Sequence, residues 1–297
     1  MNILIAGSTG YVGKRLAAIM LKKNFTVFGI ERKKSFFTIV NKQNEKEILK
    51  GNLVDIYNGL FELKLEWLGI VNLAGNTNKS KDLEHIPGIC DANITFNARL
   101  ASLATMLKTK RYVYTSTYSV SVDGVSYSPQ TFYAATKYAS ENILEFFAFE
   151  EGLDVVVLQL YDIYGPSHHK TRLIPGLIDA LKNGKSIEIS KGDQEFAPLF
   201  VDDACDSIIH AIQGEFAKNF NQFSVRGPET FQVRDLPRKV ALACNQRWMS
   251  NQIAFTKAHR SNEIMKVAPL YKPLPRWRPK YTLDQGLILS TQKERWE

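Results

Sequence analysis

The sequence predicts an α/β protein with a doubly wound parallel sheet and a smaller C-terminal α/β substrate lobe. An apolar strand at the N-terminus leads into a glycine-rich turn and an amphipathic helix. Further short apolar segments alternate with helical patterns, which is typical of a parallel sheet covered on both faces. The pattern becomes less regular after Tyr164-Gly165-Pro166. We therefore divide the chain into a dinucleotide-binding domain, residues 1–165, and a substrate-binding lobe, residues 166–297.

The elements follow in order along the chain. Apolar runs predict strands, and periodic apolar spacing predicts helices. The predicted strands are 2–6, 25–31, 69–74, 111–115, 154–161 and 186–189, and the predicted helices are 11–22, 91–108, 132–150 and 173–182. The segment FVDDACDSIIHAI predicts another helix, capped by Asp202 or Asp203. It packs on the sheet, so that the chain returns to the first domain around residues 199–225.

Composition narrows the class of protein. With 297 residues, 44% hydrophobic and 23% charged, the chain can bury a large core. A strand almost at residue 2 and short apolar runs argue against a secretion signal or membrane span, so a cytoplasmic enzyme is expected. Cys90, Cys205 and Cys244 lie far apart without a CxxC motif, which favours free thiols and predicts no metal site. The net charge of +8 is scattered, which favours an anionic small substrate over nucleic acid.

Three glycines follow the first strand in the segment GSTGYVG. Gly7, Gly10 and Gly13 form GxxGxxG at the start of a helix. Without side chains the backbone turns tightly, approaches a pyrophosphate and presents helix-terminal amides to it. A tight turn without a ligand is the alternative. The strand and helix on either side favour dinucleotide binding.

The end of the second strand bears on the choice of cofactor. Glu31 can bind the ribose diol of NAD, whereas Arg32 can pair with the 2′-phosphate of NADP. Because both residues are present, we favour NADP over NAD. In the alternative interpretation, Glu31 and the basic residues after it form a solvated turn and bind no cofactor. Asn52 and Leu53 follow a further strand, between the strands 25–31 and 69–74, where the adenine edge would lie. Ala74 and Gly75 would line the ribose and phosphates.

A hydroxyl, a phenol and an ammonium group follow in one order along the chain. Thr117 ends the strand YVYTST, and Tyr133 and Lys137 lie four residues apart on a predicted helix. Residues i and i+4 share a face, so the ammonium can favour ionisation of the phenol. Taken separately, Thr117 can be a strand-end cap, Tyr133 a core aromatic and Lys137 a surface charge. Ser116 is the alternative to Thr117 as the catalytic hydroxyl. Their order after a glycine loop predicts the catalytic group of a carbonyl reductase.

These motifs, with VNLAG, DANITFNARLASL, YAATK, YDIYGP and FVDD, resemble the extended short-chain dehydrogenases/reductases of the NAD-dependent epimerase/dehydratase family. The resemblance implies a Rossmann-type domain, a lobe for a nucleoside diphosphate sugar, Asn93 as a residue that organises the site, and a homodimer. The motifs and the resemblance assign cofactor binding to Gly7, Thr9, Gly10, Tyr11, Val12, Gly13, Arg32, Asn52, Leu53, Ala74, Gly75, Asn93, Thr115, Tyr133, Lys137 and Tyr161. Substrate binding is assigned to Asn76, Thr117, Asp162 and Arg260.

Several positions depart from the pattern of that family. Phe196 and Ala197 stand where Arg-Asp is usual, so one phosphate contact is missing. Gln159 and Asp162 replace a usual arginine and asparagine. Arg260 begins an Arg-x-x-acid pattern that the family uses for diphosphate binding, which makes it the leading phosphate ligand. Asn76 either touches the hexose or closes a turn.

The interval between Thr117 and Tyr133 is shorter than in typical 4-epimerases of the family. Its length is similar to that in CDP-abequose synthase and related nucleotide-sugar 4-ketoreductases, which this chain resembles. This resemblance implies NADPH-dependent reduction of the C4 ketone of a nucleotide-linked 4-keto-6-deoxyhexose, in the synthesis of surface polysaccharide such as O-antigen. An NAD-dependent nucleotide-sugar 4-epimerase is the alternative reaction. A non-catalytic dinucleotide-binding sensor or scaffold is the alternative of another class, against which the presence of Tyr133 and Lys137 counts.

Overall fold

The computed structural model describes residues 1–33, 36–217, 219–246, 253–256 and 265–292. The strands are β1 Asn2–Ala6, β2 Thr26–Arg32, β3 Phe37–Asn41, β4 Lys46–Gly51, β5 Trp67–Asn72, β6 Tyr112–Thr117, β7 Val155–Leu160, β8 Ile163–Tyr164, β9 Ile187–Ile189, β10 Glu195–Phe196, β11 Leu199–Phe200, β12 Phe220–Val225, β13 Phe231–Gln232 and β14 Ile253–Phe255. The helices are α1 Tyr11–Lys22, α2 Leu53–Glu62, α3 Ile86–Cys90, α4 Phe96–Met106, α5 Phe132–Glu150, α6 Leu173–Lys182, α7 Val201–Gln213, α8 Leu236–Ala243 and α9 Leu283–Thr291.

The central sheet has eight strands in the order β12-β7-β6-β5-β1-β2-β3-β4. The six strands from β12 to β2 are parallel, and order reverses at β1, where the chain crosses to the other half of the sheet. Helices α1 and α7 cover one face, while α2, α4 and α5 cover the other. The predicted doubly wound fold is confirmed, and α1, α5 and α6 have the predicted bounds.

The edge of the sheet beyond β2 differs from the prediction of an entirely parallel sheet. Strand β3 runs antiparallel to both β2 and β4, and forms a hairpin between them. A parallel connection needs a crossover of about a dozen residues or more, whereas β2 and β3, and likewise β3 and β4, are joined by only four residues. Glu45 adopts a left-handed backbone conformation, φ 54°, in the second turn. This hairpin, rather than a helix, therefore follows the second strand.

Helix α7 joins the C-terminal half of the chain to the sheet domain. It begins at Val201, so the predicted cap at Asp202 or Asp203 is wrong, and both residues lie in its first turn. There Asp202 accepts two hydrogen bonds of 2.6 Å from Arg15 of α1. Asp203 instead accepts the backbone N–H groups of Lys280 and Tyr281. Strand β12, which follows α7, then pairs with β7 and is the last strand of the main sheet.

The remaining elements form a small lobe beside the C-terminal edge of the parallel strands. Among its described residues are three two-stranded pairs, β8 with β11, β9 with β14 and β10 with β13, together with α6, α8 and α9. Apolar side chains of this lobe, such as Leu236 and Leu287, belong to the same buried cluster as Val201 and Ile208 of α7. None of the helices in the described part of the chain is long and apolar enough to cross a bilayer.

Candidate active site

A cleft of about 750 Å³ lies at the carboxyl ends of the parallel strands, between the glycine loop and the small lobe. Loops that follow β1, β5, β6 and β7 line it, as expected for a ligand site in an open α/β sheet. Of the residues predicted to bind cofactor or substrate or to catalyse, those that line it are Gly7, Gly10, Tyr11, Val12, Gly13, Ala74, Gly75, Thr115, Thr117, Tyr133, Lys137, Tyr161 and Asp162.

At Gly7 and Gly13 the glycine loop has no room for a side chain. Gly7 has φ +82°, and a Cβ there would lie 2.8 Å from the backbone nitrogen of Ala74. A Cβ at Gly13 would lie 2.1 Å from the carbonyl oxygen of Gly7. Gly10 is the N-cap of α1, and no described side chain caps that terminus. The backbone amides at this helix end therefore fit the pyrophosphate of a dinucleotide.

Acidic and basic side chains meet at the end of β2. Lys42, from the turn after β3, donates to Glu31 over 2.9 Å, and Lys33 donates to the same carboxylate over 3.3 Å. Although burial opposes the shift, these ammonium groups lower the pKa of Glu31. Arg32 forms an ion pair of 2.6 Å with Asp91. Glu31 is thus paired with two lysines, and local sequence patterns do not predict the contact with Lys42.

The three predicted catalytic side chains line one wall of the cleft. Thr117 ends β6, and its Oγ1 lies 2.9 Å from the Oγ of Ser119. Helix α5 begins after Thr131, whose hydroxyl accepts the backbone N–H of Ala134 over 3.1 Å. This cap places Tyr133 in the first turn of the helix and Lys137 in the second, so that both line the cleft.

The pKa of Tyr133 shifts in the direction opposite to the one predicted from the sequence. Burial raises it to about 12, and the charge of Arg172 opposes that shift. Burial lowers the pKa of Lys137 to about 7, which the carboxylate of Glu141 opposes. A lysine with this pKa is neutral at a pH where the phenol would ionise. It therefore gives the phenolate no stabilising charge, and the predicted lowering is wrong for the protein without ligands.

Asn93 organises the loop after β5. It lies in a π-helical turn, Asp91–Thr95, between α3 and α4. Its Oδ1 accepts the backbone N–H of Asn76 over 2.7 Å, and its Nδ2 donates to the Asn76 carbonyl and to the Thr136 hydroxyl. The Oδ1 of Asn76 accepts the backbone N–H of Asn78 over 3.0 Å and closes a turn. These contacts fix the loop against α5.

Five predicted cofactor ligands lie outside the lining of the cleft, namely Asn93, described above, and Thr9, Arg32, Asn52 and Leu53. Thr9 is exposed, and Arg32 pairs with Asp91 as described. Asn52 caps α2 by accepting the backbone N–H groups of Val54 and Asp55, and Leu53 is the first residue of that helix. Arg260, the predicted phosphate ligand, lies outside the described residues.

The opposite wall of the cleft consists of side chains that follow β6 and β7. The Tyr118 hydroxyl donates to Asp162 over 2.7 Å, and the rings of Tyr118 and Tyr161 stack at 4.7 Å. Tyr161 donates to the backbone carbonyl of Val267 over 3.1 Å. The loop before α6 adds two cleft residues that sequence reasoning did not assign, His168 and Arg172. The ring of His168 lies 3.9 Å from that of Tyr11.

The fold and cleft define a dinucleotide-binding α/β protein with a threonine, tyrosine and lysine at the site. A profile of the NAD dependent epimerase/dehydratase family matches residues 3–225, and the chain belongs to that family. It is 22% identical to the CDP-abequose synthase of Yersinia pseudotuberculosis, across 92% of this chain and 93% of that protein. It is 23% identical to the UDP-glucuronate 4-epimerase of Thermodesulfobacterium geofontis, across 96% and 93%. The structure of MoeE5 with UDP-glucose and NAD superimposes with a TM-score of 0.79 and 19% identity, covering 98% and 97% of the chains.

Proposed function

We propose that this protein reduces the C4 ketone of a nucleoside diphosphate 4-keto-6-deoxyhexose with NADPH. One observation carries the proposal. The glycine loop that fits a pyrophosphate and the side chains of Thr117, Tyr133 and Lys137 line the same cleft. A dinucleotide that lies along the loop extends toward α5, so a ketone beside Tyr133 would be within reach of the nicotinamide.

The three side chains have distinct roles in this proposal. The Thr117 hydroxyl donates a hydrogen bond to the ketone oxygen and orients it. Tyr133 donates its proton to that oxygen while the carbon receives a hydride, and the C4 ketone becomes a secondary alcohol. Bound NADPH supplies the hydride. Lys137 holds the nicotinamide ribose and, when charged, favours release of the phenolic proton.

The charges at the end of β2 support NADPH as the reductant. The Glu31 carboxylate, which would otherwise bind a ribose diol, already accepts hydrogen bonds from Lys42 and Lys33. With Arg32 these lysines place three cations beside the adenosine end of the proposed cofactor site. A phosphate at the ribose 2′ position can bind such a cluster through charge-assisted hydrogen bonds. We therefore propose Arg32, Lys33 and Lys42 as ligands of that phosphate.

The sugar half of the cleft supports a substrate different from that of typical 4-epimerases. Phe196, which lines the cleft, is apolar where the family usually has an arginine. Asp162 is engaged by Tyr118 and replaces a usual asparagine. The CDP-abequose synthase matches over nearly the whole length of both proteins. We propose that Asp162 contacts the sugar, that the loop at Asn76 lies over it, and that Arg260 binds the diphosphate.

A panel of substrates tests the proposal. The purified protein is mixed with NADPH and the 4-keto-6-deoxyhexoses linked to CDP, dTDP, GDP or UDP, and loss of absorbance by the reduced nicotinamide is followed. We expect one of them to consume NADPH. No consumption with any of them would refute the reductase.

A 4-epimerase is the second candidate, because the UDP-glucuronate 4-epimerase also matches across the chain. It predicts tightly held NAD in the purified protein and interconversion of sugars without net consumption of cofactor. Extraction of the protein and identification of the released nucleotide separates the two reactions.

A further inference from the structure

A buried carboxylate lies one helical turn beyond Lys137 on α5. Glu141 is 1% exposed and Lys137 is 3% exposed. At positions i and i+4 the two side chains share the face of α5 that packs on the sheet. A carboxylate this deeply buried is costly unless it is paired and hydrogen-bonded. Glu141 therefore needs partners that stabilise its charge, and Lys137 lies one helical turn away.

Three hydrogen-bond donors from three separate segments converge on Glu141. The Ser116 hydroxyl of β6 donates to its Oε1. Gln222 of β12 donates to Oε2 over 2.8 Å, and the Tyr271 hydroxyl donates to the same oxygen over 2.6 Å. Gln222 also lies 2.9 Å from the Tyr271 hydroxyl. Donors that all point at one carboxylate favour its ionised form, against the burial that favours the neutral form.

Within the described part of the chain, the Lys137 ammonium has no hydrogen bond and no ion pair within 4 Å. Its Nζ lies 4.1 Å from the centre of the Tyr114 ring, a favourable contact for a cation. Burial nevertheless lowers its pKa to about 7, and the carboxylate of Glu141 is what opposes that shift. Burial in turn raises the pKa of Glu141, against the three donors and the charge of Lys137. Each of the two ionised groups therefore stabilises the other.

The neighbouring strand β7 contributes a neutral group to this layer. Gln159 is fully buried and lies between Ser116 of β6 and Ser224 of β12 in the strand register. Neither of its side-chain amide atoms has a hydrogen-bond partner among the described residues. Among the described residues, Tyr114 of β6 contacts Lys137 and the Tyr271 phenol contacts Glu141, while Tyr133 lies one turn before Lys137 on α5. These three phenols are neutral near pH 7, since the ordinary pKa of tyrosine is about 10 and burial raises the pKa of each further.

We propose that Glu141 is a positioning residue that keeps Lys137 protonated, and that Ser116, Gln222 and Tyr271 keep the Glu141 carboxylate ionised. The part that Lys137 plays in turnover rests on the proposed function, whereas the charge relation between the two side chains does not. Tyr271 belongs to the segment that follows Val267, the acceptor of the Tyr161 hydroxyl in the cleft. The charge of Lys137 thus depends on a hydrogen bond from the C-terminal segment.

Direct titration of Lys137 tests this proposal without substrate or cofactor. The full-length protein is acetylated briefly with acetic anhydride between about pH 5 and about pH 10, and the extent of reaction at Lys137 is measured by mass spectrometry. Only the neutral amine reacts, so the midpoint reports its protonation. We expect the midpoint near the pKa of about 7 in the wild type. Glu141→Gln should lower it by at least about one pH unit, because the opposing negative charge is gone.

Two further variants make the result decisive. Glu150→Gln removes the same charge from an exposed position at the end of α5 and should leave the midpoint unchanged. Tyr271→Phe removes one donor to Glu141 and should lower the midpoint by less than Glu141→Gln does. It decides the matter if Glu141→Gln does not fold, as judged by circular dichroism. A midpoint that stays at the wild-type value in the variant that is measured would overturn the proposal.

Turnover gives a second readout. In reduction Lys137 acts in its charged form, so kcat falls as the pH rises through its pKa. In Glu141→Gln this decline should begin at a lower pH, whereas a purely structural defect would reduce kcat equally at every pH. If no ketone is reduced while the acetylation midpoint still shifts, the proposed function fails and the relation between Glu141 and Lys137 stands.

Discussion

The phosphate half of the cleft is formed by backbone atoms, whereas the sugar half is formed by side chains. Around Gly7 and Gly13 the phosphate half is backbone, and an added Cβ would collide with main-chain atoms. The sugar half consists of side chains from α5, from the segments after β6 and β7, and from the small lobe, among them Tyr133, Asp162 and Phe196. Backbone geometry cannot change without changing the fold, whereas side chains can. In the proposed function, the phosphate half therefore selects the class of cofactor and the sugar half selects the substrate.

The largest effect is expected in the side-chain half. Tyr133→Phe removes the proposed proton donor and leaves the ring, so kcat should fall by roughly 10²- to 10⁴-fold. Affinity for NADPH, measured by quenching of protein fluorescence, should change little, because the glycine loop is intact. Tyr127→Phe, at an exposed tyrosine stacked on Tyr138, is the control and should keep full activity. Equal activity of the two variants would refute the role of Tyr133.

The backbone half is tested by adding one methyl group. Gly7→Ala places a Cβ 2.8 Å from the Ala74 nitrogen and strains a residue with φ +82°. We expect affinity for the dinucleotide to fall at least about tenfold, because the loop must move away from the pyrophosphate. Gly152→Ala is the matched control, since Gly152 has φ +67° but nothing within 4 Å of an added Cβ. It should cost about 1 kcal/mol of stability and leave affinity unchanged. Similar affinity in both variants would count against the loop as the phosphate site.

A smaller effect is expected on the preference for NADPH over NADH, which depends on residues at the edge of the phosphate half. Lys42→Met removes a cation from Glu31 while keeping a long apolar side chain. We expect the ratio of NADPH to NADH affinity to fall by about tenfold, the worth of one charge-assisted hydrogen bond. Lys46→Met, at an exposed position of β4, should leave the ratio unchanged. A ratio that is the same in both variants would remove Lys42 from the cofactor site.

The polar layer beneath α5 provides the smallest effect, with opposite signs for two glutamines. Gln159→Leu replaces a buried amide that has no described partner, so the free energy of unfolding should rise by about 1 kcal/mol. Gln222→Leu removes a donor to the buried carboxylate of Glu141, and should lower it by about 1–3 kcal/mol. Urea denaturation measures both. Effects of the same sign would show that the hydrogen bond of Gln222 does not decide the difference.

Local patterns in the sequence predict the glycine loop of the phosphate half and the proposed catalytic side chains. The glycine spacing, the bounds of α5 and the positions of Thr117, Tyr133 and Lys137 follow from motifs within a few turns of chain. Contacts between distant segments are not predicted in this way. Lys42 reaches Glu31 because of a hairpin, and Glu141 is held by residues from β6, β12 and the C-terminal segment.

The pKa values show the same limit. The spacing of Tyr133 and Lys137 correctly places both in the cleft, but burial decides the sign of both pKa shifts. Burial depends on how the whole chain packs around α5. The i+4 spacing of Glu141 from Lys137 was nevertheless visible in the sequence, and it was the available signal for the buried carboxylate.

Transfer of a labelled hydride tests the central claim most directly. The protein is incubated with NADPH that carries deuterium at the transferable position of the nicotinamide and with the nucleotide-linked 4-keto-6-deoxyhexose that gives the fastest consumption. The sugar is then examined by NMR. Reduction beside Tyr133 predicts one deuterium at C4 for each NADPH consumed, with no label when Tyr133→Phe is used. An unlabelled C4 in the product of the wild-type protein would contradict the proposed reaction.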